Sequence, residues 1–309
     1  MARELAGRGH HVCVLTSEPS GKPDDEFPFA VVRTPSQPAI WNHVAWAQLV
    51  FQLGGLRLGW PLCFVRRKSV IVHHNWPDPA PARGLLTTWL RRRWSQTSRH
   101  ICPSRGLQSR LSTPCNVIGN PYDDATFRIL EGVSRDRDII FVGRLLKEKG
   151  ADLLLDALAR LSKRGLRASV TVVGHGPELE NCKRQTTELN LAAQVTFRGV
   201  LRGPELCREL NRHHILVVPS RWHEPFGIVA LEGIASGCVV VGSAGGGLAE
   251  AIGACGVTFP NGNVQALAAR LQELLSAPNT LQKMREAAQR HLTAHQPKTV
   301  MDRYLDLIA

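Results

Sequence analysis

Apolar runs rich in Val and Ile recur along the chain: HVCVLTS (11–17), FAVVRT (29–34), SVIVHH (69–74), DIIFVG (138–143), ASVTVVG (168–174), QVTFRG (194–199), HILVVPS (214–220), CVVVGS (238–243) and GVTF (256–259). Most are short and do not alternate, the pattern of parallel strands buried on both faces. Helical periodicity lies between them. In ADLLLDALARLSKRG (151–165), Leu153, Leu154, Ala157, Leu158 and Leu161 share one face, and Gly165 is placed to close the helix. PELENCKRQTTELNL, FGIVALEGIASG and VQALAARLQELLSA follow the same logic. Strands and helices alternating in this way predict an α/β fold of the doubly wound kind.

The C-terminal half carries this alternation through to a final helix, MDRYLDLI, whereas the N-terminal half is less regular. Its longest apolar stretch, Val44 to Val65, is broken by Gly54, Gly55, Arg57 and Pro61. A membrane-spanning helix needs about 20 mostly apolar residues without such breaks, so the stretch reads as a core helix plus a turn. The turn-rich segment 118–138 reads as an interdomain connection. At roughly 100–200 residues per domain, 309 residues fit two domains. We place them at 1–120 and 121–296, with the C-terminal helix, 297–309, free to pack back on the first.

Composition adds little to the class but much to the choice of partner. The hydrophobic fraction of 43% and charged fraction of 21% are those of an ordinary globular protein and exclude collagen-like and disordered chains. The net charge of +12 favours anionic partners. It is concentrated: residues 57–110 hold eleven basic side chains against the single acid Asp78. Within them TTWLRRRWSQTSRH (87–100) sets Trp89 and Trp94 around Arg91, Arg92 and Arg93. This segment could meet an anionic membrane surface, or form a solvated helix face with its Trp rings in the core. No nucleic-acid-binding pattern accompanies it, so nucleic acid is not an expected partner.

None of the eight Cys forms CxxC, and several lie in apolar runs, as expected of reduced, buried thiols. The opening MARELAGRGHHVCVLTSE lacks the features of a secretory signal. These point to a cytoplasmic protein, with peripheral attachment to the inner face of the membrane left open. There is no HExxH among the twelve His, and no metal site is expected. The acidic triplet Asp136-Arg137-Asp138 reads as solvated linker.

Three motifs carry chemistry. In FVGRLLKEKGADLLLDAL (141–158) a strand runs into Gly143, then Arg144, Lys147, Lys149 and Gly150 precede a helix. Ligands in open α/β sheets bind beyond the carboxyl ends of strands. There a Gly admits the backbone to an anion, an Arg forks onto phosphate and a Lys adds a point charge. The bland alternative is a helix start with solvated bases. In VVGHGPELE (172–180), Gly174 and Gly176 flank His175 at a strand end; this suits a nucleotide lying over the loop, but taken alone it reads as a plain tight turn with His175 a loop residue. In VVPSRWHEPFGIVALEGIASGCVVVGSAGGGLAEAI (217–252), Glu224 lies in a loop, Phe226 and Gly227 open a helix and Glu232 lies within it. A helix start favours phosphate. Glu232, five residues beyond Gly227, sits about 7.5 Å along the axis, within reach of a hydroxyl on the same ligand. Gly246 belongs to a glycine run that opens the next helix.

GR-x(4)-KG, GxGP and EPFG-x(4)-E, the last with its two Glu eight apart, resemble the retaining glycosyltransferases of the GT4 type (glycosyltransferase group 1). The resemblance covers about 138–309 well. It extends more loosely to LAGRGHHVCVLTS and VIGNPYD (117–123). It implies a GT-B architecture of two Rossmann-like domains facing a cleft. The donor, a nucleotide-diphosphate sugar, would be held by the C-terminal domain. Arg144 and Lys149 would hold the diphosphate, Glu232 the ribose hydroxyls, and Glu224 with the backbone of Phe226 and Gly227 the donor sugar. It further implies transfer with retention, no cofactor and no metal, to a glycan, lipid-linked or small-molecule acceptor. A catalytic His is expected near a strand end of the first domain, with His73 and His74 as candidates and His74 preferred.

The N-terminal domain departs from the family pattern. The chain starts inside what resembles the first helix, so the first strand and Gly-rich loop are not seen, and no strand is recognised between Phe51 and Val70. The expected N-terminal sheet is therefore incomplete. The competing reading is a catalytically impaired relative that binds nucleotide or a partner, or a basic membrane-surface scaffold.

Overall fold

The structure, a computed structural model, describes residues 1–19, 26–53, 58–76 and 94–308. The chain divides into two units, Met1–Gly119 with Pro297–Ala309, and Asn120–Gln296.

In the first unit β1 (Cys13–Thr16) pairs in parallel with β2 (Ala30–Arg33). A separate parallel sheet runs in the order β3 (Leu49–Leu53), β4 (Lys68–Val72), β5 (Arg99–Cys102), β6 (Asn116–Val117). On one face Val70, Val72 and Ile101 pack on Val300, Met301, Tyr304 and Ile308 of the helix Pro297–Ile308. Each such apolar side chain contributes about 1.5–3 kcal/mol when fully buried, so the terminal helix is held by its apolar stripe. Arg8 adds an ion pair to Asp302 at 2.7 Å. On the other face Ile71 meets Ile40 and Val44 of the helix Gln37–Trp46, together with Leu62, Cys63 and Trp94.

This unit corrects two expectations. The stretch 44–65 is not a core helix plus a turn. The helix ends at Trp46, where Ala47 turns extended, and Leu49–Leu53 continues as a strand paired along its whole length with β4. A strand therefore does precede Val70. The strands β5 and β6 are absent from the apolar runs because RHIC begins with two polar residues and β6 has only two residues. Trp94 is 8% exposed and belongs to the core; Trp89 and Arg91–Arg93 of the basic segment lie outside the described residues.

In the second unit six parallel strands run in the order β12-β11-β10-β7-β8-β9: β7 (Arg137–Val142), β8 (Val170–Val173), β9 (Val195–Gly199), β10 (His213–Val218), β11 (Val239–Ala244) and β12 (Gly256–Pro260). One face is covered by the helices Ala151–Lys163 and Val264–Leu275, the other by Gly203–Asn211 and Ile228–Ala235. The helix Ala151–Lys163 buries Leu153, Leu154, Ala157, Leu158 and Leu161 as its periodicity predicts. It closes with Gly165 N–H donating to Ser162 O and Leu166 N–H to Leu161 O, the paired bonds of a glycine C-terminal cap.

The segment read as an interdomain connection, 118–138, crosses the boundary between the units at Gly119–Asn120, and from Asn120 on it is built into this unit. Tyr122 and Phe127 are buried in its core, and the Asn211 amide donates to Arg128 O while accepting from Leu130 N. Nor is 136–138 a solvated linker. Asp136 takes a forked bond from Arg212 at 2.8 and 3.1 Å, and Asp138 lies in β7 and accepts from Ser169. All eight Cys are free thiols and seven are buried. Among the described residues no helix is long and apolar enough to cross a membrane.

Candidate active site

The parallel strands of the second unit all end at one sheet edge, and four of the loops leaving that edge are joined by hydrogen bonds. After β7, Gly143 N–H donates to Val173 O at 3.0 Å, and Leu145 N–H donates to His175 O at 2.9 Å. The turns at 143–145 and 174–176 are therefore stitched together. Gly174 has φ +144°, and a Cβ there would run into the Gly143 carbonyl oxygen, so only glycine permits the contact. His175 is exposed on this turn.

Lys149 ends the loop before the helix Ala151–Lys163. Its ammonium donates to Oε1 of Glu224 at 2.7 Å, and the Ser220 hydroxyl donates to the same oxygen at 2.7 Å. Glu224 thus follows β10 with one carboxylate oxygen fixed from two sides. Its main chain is fixed as well: Gly247 N–H donates to Glu224 O at 2.7 Å. Gly246, at φ +63°, has no room for a Cβ against that same carbonyl.

Gly227 begins the helix Ile228–Ala235, whose first N–H groups point out at this edge. The Phe226 side chain is 2% exposed and rests on the His295 ring, so only its backbone is available to a ligand. Glu232 lies within the helix, half-buried, with no hydrogen-bond partner among the described residues. Burial, reinforced by the negative charge of Asp123, pushes its carboxyl up to about 7. A carboxylate held so far above its ordinary range and left unpartnered is a group waiting for donors. Arg144 is exposed, with no hydrogen bond or ion pair among the described residues.

The structure therefore bonds Lys149 to Glu224 and packs Gly246 against the Glu224 carbonyl and Gly174 against the Gly143 carbonyl. It places Arg144, Gly227 and Glu232 on the same unit without contact between them. His74 is in the other unit, exposed just beyond β4; its neighbour His73 bonds to His100 at 2.8 Å.

One anchor of the site was not anticipated. Arg221 forks onto Asp152 at 2.6 and 2.7 Å, and Lys147 joins the same carboxylate at 2.8 Å. Arg221 and Trp222 N–H both donate to Glu148 O. This cluster ties the loop carrying Lys149 to the loop carrying Glu224. Burial pushes the Asp152 carboxyl up, but the bonds from Arg221 and Lys147 outweigh it and hold the group below its ordinary value. An acid in the first helical turn and an Arg directly after Pro219-Ser220 were the available signals.

A model of the family described as "Glycosyl transferases group 1" matches residues 123–291. The chain is 35% identical over 235 residues to a glycogen synthase of Mycobacterium tuberculosis (strain H37Rv), covering 72% of this chain and 56% of that protein. It is 32% identical over 173 residues to the GDP-mannose-dependent alpha-(1-6)-phosphatidylinositol monomannoside mannosyltransferase of Mycolicibacterium smegmatis, covering 51% and 44%. The chain spans about half the length of the curated relatives it matches. Among solved structures, a glycosyltransferase from Rickettsia africae superposes with a TM-score of 0.84 at 16% identity, covering 99% of this chain and 92% of that one. HepE of Anabaena in complex with UDP-glucose gives 0.74 at 18%, covering 96% and 99%.

Proposed function

The chain belongs to the glycosyl transferase group 1 family, and from that premise we propose that it moves a sugar, with retention and without a metal, from a nucleotide-diphosphate donor to a hydroxyl of a glycan, lipid-linked or small-molecule acceptor. The observation that carries this reading is the Lys149–Glu224 pair at 2.7 Å on the edge where the helix Ile228–Ala235 begins. One cation, one carboxylate and one helix start converge where a sugar diphosphate needs all three.

In this reading Arg144 and Lys149 hold the diphosphate. Glu232 accepts from the ribose hydroxyls, and Glu224 accepts from the donor sugar. The bond from the sugar's anomeric carbon to the phosphate oxygen breaks, and the acceptor oxygen bonds to that carbon from the same face. The acceptor's proton goes to the departing phosphate oxygen. Negative charge gathers on the diphosphate, and positive groups already aimed at it lower the barrier. The backbone of Gly143, Gly227 and Gly246 lines the edge that meets the donor, with the Gly143 N–H itself held by Val173 O. The basic segment 87–100 supports a lipid-linked acceptor on an anionic surface; co-sedimentation with anionic vesicles tests that part alone.

Relatives and neighbours named for GDP-mannose and UDP-glucose make both base classes the panel to try. A true donor at 100 times its Kd raises stability by about 2.7 kcal/mol. Thermal denaturation against UDP- and GDP-sugars, followed by product analysis with the donor that stabilises, tests the reading. A stabilising donor whose sugar is never transferred would favour a nucleotide-binding relative over an enzyme.

A further inference from the structure

The first unit holds a groove that the proposed reaction does not use. It lies at the amino ends of β3 and β4, where Leu49 and Lys68 begin their strands, and the helix Pro297–Ile308 ends beside it. Ligands of open α/β sheets sit beyond the carboxyl ends of strands, so this edge is a separate place. The groove is open to solvent and encloses about 880 Å³. Trp46, Leu305 and Ile308 give it apolar walls, and three consecutive basic residues, Arg66, Arg67 and Lys68, line it as well.

These bases are not spent on acids. Arg67 donates to Ala45 O from Nε at 3.2 Å and from Nη2 at 2.6 Å, and Lys68 Nζ donates to Ile308 O at 3.1 Å. Both therefore close the carbonyl ends of helices, and the Lys68 ammonium keeps two further N–H donors. Arg66 is exposed, with no hydrogen bond or ion pair from its side chain among the described residues. No Asp or Glu occurs from Phe27 to Pro77, and none lines the groove. On the terminal helix, Asp302 is paired with Arg8. Each helix end offsets about half a charge, so three cations leave the groove positive.

The apolar groups here are turned outward. Trp46 is 59% exposed on the groove, and Phe64, two residues before the basic triplet, is 62% exposed. The amphipathic Trp ring favours the headgroup level of a bilayer. Exposed rings beside basic side chains, with no acid among them, complement an anionic lipid: its phosphate accepts from the bases while the rings and apolar walls meet its glycerol and acyl parts. We propose that this groove seats an anionic phospholipid of a bilayer surface, with the phosphate on Arg66 and Lys68 and Trp46 at headgroup depth. The first unit is then held on the membrane by the amino-end edge of its sheet.

Co-sedimentation of the full chain with vesicles of equal parts phosphatidylglycerol and phosphatidylcholine tests this, with pure phosphatidylcholine as the control. A basic side chain near an anionic surface strengthens binding about fivefold. Arg66→Glu removes one positive charge and adds a negative one, so it should weaken binding about 25-fold, whereas Arg66→Lys should keep it. Salt screens charge but leaves ring burial in place, so Arg66→Glu should matter mainly at low salt and Trp46→Ser at any salt. Both side chains are exposed, and unchanged thermal denaturation will show that the variants are folded.

Arg91→Gln, Arg92→Gln and Arg93→Gln together separate the groove from the basic segment 87–100. Adding Arg66→Glu to that triple variant should cost a further loss of the same size. Binding lost in the triple variant but kept in Arg66→Glu and Trp46→Ser would overturn the groove's role. So would wild-type protein that ignores the vesicles, or that binds pure phosphatidylcholine equally well. A dimer seen by sedimentation velocity without lipid, and dissolved by Trp46→Ser, would make a second copy the occupant and overturn the lipid. Binding is read without a donor sugar, so protein that transfers no sugar would remove the enzymatic reading while the vesicles judge this proposal separately.

Discussion

The ammonium of Lys149 donates to Oε1 of Glu224 at 2.7 Å, joining loops 75 positions apart. Both groups are expected to leave each other partly for the donor, the Lys toward phosphate and the Glu toward the sugar. A charge-assisted hydrogen bond contributes about 1.5–3 kcal/mol. Lys149→Ala should weaken donor affinity by about tenfold to a hundredfold on that scale, and Glu224→Gln should reduce turnover more than affinity. The double variant should lose less than the sum of the two, because each single change already breaks the pair. Calorimetric donor binding and kcat for all four proteins check this; strict additivity would show that the pair is not a unit.

Glu232 makes donor binding depend on pH. Its carboxyl sits at about 7 against an ordinary 4.5, because it is buried and faces Asp123. The folded state therefore binds this proton more tightly than the unfolded state. The associated stability is fully present below about 4.5 and is lost as pH rises through about 7. Glu232→Gln, which has no charge to bury, should gain thermal stability over wild type above pH 7 and lose that advantage toward 4.5. Donor binding should run the opposite way. Ribose hydroxyls donate best to the ionised carboxylate, so wild-type affinity should rise through pH 7 and the Gln variant should be weak and flat. A variant with unchanged affinity would refute the ribose assignment.

Asp152 has the reverse sign. Held below 3.8 by Arg221 and Lys147 against the effect of burial, it contributes stability above that pH which is lost as pH falls through its folded value. Asp152→Asn should cost about 1–3 kcal/mol at neutral pH, the scale of its charged hydrogen bonds, and should remove part of the acid sensitivity. Because the cluster ties the Lys149 loop to the Glu224 loop, donor affinity should fall as well. Denaturant titrations at neutral and acidic pH, with donor binding alongside, measure both.

The alternation of apolar runs was enough to read the second unit, because its central strands are buried on both faces and its helices carry clean stripes. The motif residues were legible for the same reason: they follow strand ends. The pairing of Lys149 with Glu224 and of Arg221 with Asp152 was not, since each joins distant loops through geometry that only the sheet order supplies. In the first unit β3 hid inside an apolar stretch where Leu, Val and Phe suit helix and strand alike. The strand β5 hid because Arg99 and His100 look like the end of a basic helix. His100 is polar and buried for a reason that lies 27 positions away, in His73.

Gly246 offers a test of the backbone alone. Its φ of +63° suits glycine, and any side chain would press on the Glu224 carbonyl that also receives Gly247 N–H. Gly246→Ala should destabilise by about 1–2 kcal/mol from the left-handed conformation. The clash should also shift the Glu224 main chain and weaken donor binding without unfolding the sheet. Normal affinity in a destabilised variant would separate this loop from the donor.

The charge around the diphosphate makes the last prediction. Arg144 is unpaired among the described residues, Lys149 is shared with Glu224, and the start of the helix Ile228–Ala235 adds about half a positive charge. Together these groups can neutralise the charge that develops as the phosphate departs. Transfer should therefore survive EDTA at full rate. Arg144→Ala should then reduce kcat by about 10²–10³-fold, the cost of removing one group aimed at developing charge. If EDTA abolishes transfer and Mn²⁺ restores it, a bound cation, rather than Arg144 and Lys149, neutralises the departing diphosphate.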